Sequence, residues 1–147
     1  MLSAGGEKLF ADGLKALVEG DTRSALSFFE RAIEMDDRPA YCSYLAVCIA
    51  KEQRHFQLAF TLCEKARARE PENPVHYLNL GKIYLLAGKK ADAIQTFKEG
   101  LVLGDNPEIT EELNKLGVRK RPLFPSLDRS NPLNKGFGIL LRKIGLR

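Results

Sequence analysis

The residues of this chain whose types could support chemistry are few. Two histidines, His55 and His76, three cysteines, Cys42, Cys48 and Cys63, and two acidic pairs, Asp36-Asp37 and Glu111-Glu112, are the groups to weigh as metal ligands, nucleophiles or proton carriers. Their spacing fits none of these tasks. The histidines are isolated from each other and from any thiol, the cysteine count is odd, and no Cys-x-x-Cys pair exists. A free cysteine behaves as a small apolar side chain, so these three are expected in a core. His55 stands beside Phe56 at a helix–helix turn and His76 sits in the first turn of a helix, and both are expected at the surface. The acidic pairs fit exposed helix ends. The chain has no glycine-rich phosphate loop, no His-Glu-x-x-His and no Gly-x-Ser-x-Gly turn. The expectation is a protein that is not an enzyme and takes neither metal nor cofactor.

What the sequence does contain is repetition. Ala25, Ala59 and Ala93 recur every 34 residues. Four residues on lie Phe29, Cys63 and Phe97, and three further on lie Ala32, Ala66 and Gly100. On a helix these offsets fall on one stripe, with small residues where a neighbouring helix must come close. The preceding segments match too: Gly13 and Gly20 in the first unit correspond to Gly81 and Gly88 in the third, while the middle unit places Ala46 at the small site and has no glycine at its turn. Pro39 and Pro74 sit where helices should start. The pattern predicts helices near 5–19, 22–35, 39–53, 56–69, 74–87 and 90–103. No such pair can bury its apolar stripe alone. Stacking covers residues such as Leu26, Phe29, Leu58, Leu80, Ile83 and Phe97, each contributing about 1.5–3 kcal/mol when fully buried. The segment 106–117, opened by Pro107 and ended by Gly117, is expected to cover the last open flank with Ile109, Leu113 and Leu116.

The period of 34, the Tyr77-to-Tyr84 run around Gly81, the Gly-x-x-x-x-Ala of 20–25 and 88–93, and Pro71 together resemble the tetratricopeptide repeat, over about residues 6–107 in three copies. The resemblance implies an all-α superhelical solenoid of three helical hairpins with a capping helix in residues 1–118. It also implies that the first helix of each hairpin lines a concave surface where another protein or a peptide binds. The residues placed there are Phe10, Leu14 and Val18, then Ser43, Tyr44 and Val47, then Leu78, Asn79, Lys82 and Leu85. An apolar set of this kind suits an apolar helical or extended guest; several of these residues can equally be core. Some family members clamp the acidic C-terminus of heat-shock chaperones with Lys, Asn and Arg side chains. The matching sites here hold Phe10, Leu14, Tyr44, Val75 and Asn79, of which only Asn79 is polar, so the expectation is against chaperone-tail binding.

Length and charge set the remaining bounds. The chain has 147 residues, 44% apolar and 29% charged, an ordinary balance for one domain that needs no disulfide or metal staple. No apolar run is long enough for a signal peptide or a membrane span, and a cytoplasmic location is expected. The net charge of +4 divides unevenly: residues 1–118 hold 15 basic and 18 acidic groups, 15 − 18 = −3, and residues 119–147 hold 8 and 1, 8 − 1 = +7. That basic tail is extended around Pro122 and Pro125. It then carries an amphipathic stripe of Leu133, Phe137, Leu140, Leu141 and Ile144. Four partners suit it, in this order: its own repeat body, another protein or a second copy of the chain, an anionic membrane, and last a nucleic acid, for which no reading motif is present. The function expected is protein–protein interaction, with a peripheral membrane accessory role as the alternative.

Overall fold

The computed structural model describes residues 2–118, which form seven α-helices and, among the described residues, no strand. They are α1 (Leu2–Val18), α2 (Thr22–Met35), α3 (Pro39–Gln53), α4 (Phe56–Arg69), α5 (Pro74–Leu86), α6 (Lys90–Val102) and α7 (Pro107–Lys115). The expected helix bounds hold to within one residue, save that α1 begins three residues early. The chain divides into two compact units, Met1–Thr110 and Glu111–Arg147. The tail stripe of Leu133 to Ile144 lies outside the described residues. No described helix is long and apolar enough to cross a membrane.

The first unit contains the three hairpins, α1–α2, α3–α4 and α5–α6. Besides packing within each hairpin, α2 packs on α3, α4 on α5 and α3 directly on α5. Local chemistry fixes the ends. Asp21 caps α2 by accepting from the Ser24 backbone N–H at 3.1 Å, and Asn73 caps α5 by accepting from that of Val75 at 3.0 Å. Pro39 and Pro74 occupy the first turns of α3 and α5, where the missing N–H costs nothing. Gly20 and Gly88 turn the outer hairpins with φ of 81° and 78°. The middle hairpin lacks such a glycine, and there Arg54 itself takes the left-handed conformation at φ 55°, its guanidinium resting 4.8 Å from the Phe56 ring centre.

The repeated stripe is the core. Ala25, Ala59, Ala93, Phe29, Cys63, Phe97 and Ala32 are wholly buried, and Ala66 very nearly so. In the first and third hairpins a large aromatic fills the notch left by a glycine: a Cβ on Gly13 would stand 2.4 Å from Phe29 Cε1, and one on Gly81 2.2 Å from Phe97 Cε1. At the equivalent positions the middle hairpin has Ala46 and Cys63, a larger residue on one side and a smaller one on the other, both wholly buried in the same core cluster. At the end of the first unit Ile109 is fully buried, its Cδ1 close over Gly100, as expected of a covering helix. Leu58, expected in the core, keeps about a third of its surface exposed at the start of α4.

Candidate functional site

The row of first helices, α1, α3 and α5, carries the residues named for partner binding, and it separates them into two groups. Phe10, Leu14, Tyr44, Lys82 and Leu85 are partly exposed, and Val18, at the end of α1, is 88% exposed. Ser43, Leu78 and Asn79 have no exposed surface and Val47 almost none. These four are interior residues, which corrects the expectation that they face a guest. The reason is topological: α3 is flanked by α2, α4 and α5, and α5 by α3, α4 and α6, so each keeps only a narrow free stripe.

The free stripe is aromatic where α1 meets α3. The Phe10 ring lies 5.5 Å from that of Tyr44, edge-on, 5.6 Å from Phe29 and 4.7 Å from Tyr41. Burial, with the Glu108 carboxylate adding to it, pushes the Tyr44 phenol up to about 12, so it stays a neutral hydroxyl. Phe10, Leu14, Tyr44 and Val75 are themselves uncharged side chains, and Arg38 lies 5.8 Å from the centre of the Tyr41 ring beside them.

Where α3 meets α5 the contact is polar instead. His76 is fully buried, not exposed as the sequence suggested, and its imidazole is held at both nitrogens: Nδ1 lies 3.0 Å from Ser43 Oγ and Nε2 2.7 Å from Glu70 Oε1. Asn79 Nδ2 donates to the same Ser43 Oγ at 3.0 Å, and Ser43 Oγ is 3.3 Å from the Ala40 carbonyl. Cys63 Sγ donates to the His76 carbonyl at 3.5 Å. The hydrogen bond from His76, reinforced by one from Asn73, holds the Glu70 carboxyl below the ordinary carboxylate range against a smaller opposing effect of burial. Buried polar groups need partners of this kind, since one left alone costs about 1–3 kcal/mol.

Serine, histidine and glutamate in series resemble a nucleophile with its base. Here, however, Ser43 already receives Asn79, and no surface of Ser43 or His76 reaches solvent. The cysteines are no better placed: burial pushes the Cys48 and Cys63 thiols up to about 12, far from the reactive thiolate.

Tyr41 and His76 are equivalent residues, each two positions after the proline that opens its helix, and each reaches back to the preceding first helix. Tyr41 stacks on Phe10 there, and His76 bonds Ser43. The pairing of His76 with Glu70 escaped the sequence reading because neither sits at a repeated core position. The shared Pro-x-Tyr and Pro-x-His spacing was the available signal.

Comparison with known proteins agrees with this architecture. Residues 50–110 match the family described as tetratricopeptide repeat. No curated protein sequence matches the chain. Among solved structures it is similar to the Arabidopsis OM64 TPR domain, with a TM-score of 0.62 at 23% identity over 80% of this chain and 98% of that one. It is also similar to the first TPR of Spaghetti (RPAP3) bound to the HSP90 peptide SRMEEVD, with a TM-score of 0.60 at 22% identity over 78% and 92%. A third is the second TPR domain of human RPAP3 in complex with the HSP70 peptide SGPTIEEVD, with a TM-score of 0.58 at 21% identity over 81% and 98%.

Proposed function

We propose that this tetratricopeptide-repeat chain is a protein–protein interaction adaptor that binds a peptide or partner helix along α1, α3 and α5, and that it is a binding module rather than a catalyst. The observation that carries the reading is the partly exposed, uncharged set of Phe10, Leu14 and Tyr44 on that row. Half-buried aromatics grouped in this way anchor a guest by excluding water, and they bring little entropy cost because they are already packed. The two RPAP3 domains are solved with chaperone peptides ending in EEVD. Here the positions that would clamp a carboxylate hold Phe10, Leu14, Tyr44, Val75 and Asn79, which favours an apolar guest over an acidic terminus. The closed state of Ser43 and His76 supports the non-catalytic part. Residues 119–147, with their charge of +7 against −3 for residues 1–118, are proposed to dock through Leu133, Phe137, Leu140, Leu141 and Ile144 on the body or on a partner.

The test is peptide display against the full chain, followed by titration calorimetry of the selected sequences and of SRMEEVD. Apolar peptides that bind the native chain and lose at least about tenfold on Phe10→Glu or Tyr44→Glu support the reading. Binding of SRMEEVD at an affinity equal to theirs would reverse the choice of guest.

A further inference from the structure

Arg38, the residue before Pro39, ties α1 to the start of α3. Its Nη2 donates to Glu7 Oε1 at 3.1 Å, its Nε donates to Asp36, and its Cζ lies 5.8 Å from the centre of the Tyr41 ring, which stacks on Phe10. All three charged side chains are partly exposed. Glu7 stands one helical turn before Phe10 on α1, so its carboxylate and the ring are neighbours on one face. One guanidinium against two carboxylates, 1 − 2, leaves −1 at this end of the patch. Glu108, at the start of α7, adds its field at Tyr44. Lys8, next to Glu7 in sequence, is paired with Asp12 at 3.4 Å. The other lysines of the row stand toward the far ends of their helices. Lys15 lies about 12 Å from Glu7 along α1, beyond the roughly 8 Å over which physiological salt lets an exposed charge act. Lys51 is in the last turn of α3, and Lys82 is well into α5.

The two bonds on Arg38 differ in kind. Asp36 belongs to the same loop, and its hydrogen bond is the main reason the guanidinium holds its proton more firmly than usual, with Glu7 contributing least. The bridge to Glu7 is an exposed pair between separate helices, weak and open to exchange. An incoming ammonium or guanidinium can take Glu7 while Arg38 keeps Asp36, and every charge ends paired. An incoming carboxylate reaches Arg38 only by displacing Glu7, which is then left beside a second anion. We propose that the guest of the patch between α1 and α3 is a peptide with a lysine or arginine next to its apolar anchor, and that Glu7 leaves Arg38 to receive this cation while the anchor rests on Phe10 and Tyr44. This rests on the reading of the first-helix row as a peptide-binding surface, and it names the charge that the guest must carry. Glu7 touches the guest; Arg38 and Asp36 are positioning residues.

The test is calorimetry on the full chain with three capped peptides of one length, alternating leucine with lysine, with glutamine or with glutamate. The native chain is expected to bind the lysine peptide about fivefold more tightly than the glutamine one at low salt, and the glutamate peptide least. The whole chain carries +4, so its long-range field alone would give the opposite order. Glu7→Gln, a change at an exposed helix position, should bring the lysine and glutamine peptides level. Glu30→Gln, which removes an equal charge from the exposed side of α2, should leave the preference intact. Arg38→Gln, which frees Glu7 beforehand, should widen it. Equal binding of the lysine and glutamine peptides to the native chain, or a preference that survives Glu7→Gln or narrows in Arg38→Gln, overturns the exchange and leaves the surface reading standing. Binding of none of the peptides, or binding unmoved by Phe10→Glu, overturns the surface reading and the exchange with it. A mass that doubles with concentration in light scattering and reverts in Phe10→Glu puts a second copy in the site and overturns the choice of guest. So does a lysine peptide that binds only after Lys135, Arg142, Lys143 and Arg147 are changed to Gln, since the occupant is then the chain's own tail.

Discussion

The methyl group that Gly81 lacks would stand 2.2 Å from Phe97 Cε1, inside any tolerable contact. The spacing of α5 from α6 is thus set by an absence on one helix and a ring on the other, and α1 and α2 repeat the device with Gly13 and Phe29.

Gly81→Ala should destabilise the protein by roughly 1–3 kcal/mol, because the ring that must yield is itself fully buried. Gly20→Ala meets no atom within 4 Å and carries only the left-handed backbone penalty, about 1 kcal/mol. Urea denaturation of the two variants should rank them in that order.

The middle hairpin offers a sharper test of the same idea. Cys63→Phe alone overfills the space beside Ala46 and should cost roughly 1–3 kcal/mol. Pairing it with Ala46→Gly recreates the arrangement of the outer hairpins and should recover a large part of that loss. A double-mutant cycle is expected to return a favourable coupling of about 1–3 kcal/mol. Strictly additive losses would mean that α3 and α4 are spaced by something other than this pair.

Ser43→Ala removes the shared partner of His76 Nδ1 and Asn79 Nδ2 in one step. Its cost should be about 2 kcal/mol, more than an exposed serine could produce, since two buried groups are orphaned. Amide hydrogen exchange should localise the loosening to α3 and α5 and leave α1 and α2 unchanged.

Acid should act through Glu70. Its carboxyl titrates below the ordinary 4.5 in the folded chain, chiefly because His76 donates to it. A group depressed on folding adds stability that is fully present above its unfolded value and is lost as pH falls through the folded value. The contribution is therefore complete at pH 6 and disappears below about pH 4.5, moderated by water at this half-exposed side chain. Denaturation midpoints followed from pH 6 to pH 3 should fall less steeply for Glu70→Gln than for the native chain.

Most of the fold was legible because a packing stripe must repeat if the units it joins are alike. Ala25, Phe29 and Ala32 and their counterparts declare both the hairpins and their register. The site was less legible for a definite reason. A first helix presents one face to the row and another to its neighbour, and residues side by side in sequence divide between them: Tyr44 is partly open while Ser43 is closed, and Tyr77 is partly open while Leu78 is closed. Helical offsets alone do not say where that division runs. His76 reads as a surface residue until Glu70, six positions earlier, is known to close over its Nε2.

All three thiols belong to the central hairpin, Cys42 and Cys48 on α3 and Cys63 on α4, and the flanking hairpins have none. An alkylating reagent added to the native protein therefore works as a clock on the middle of the stack. The partly accessible Cys42 would be modified first, and the rate at which Cys48 and Cys63 follow would time the parting of α3 from α4 without any label having been introduced.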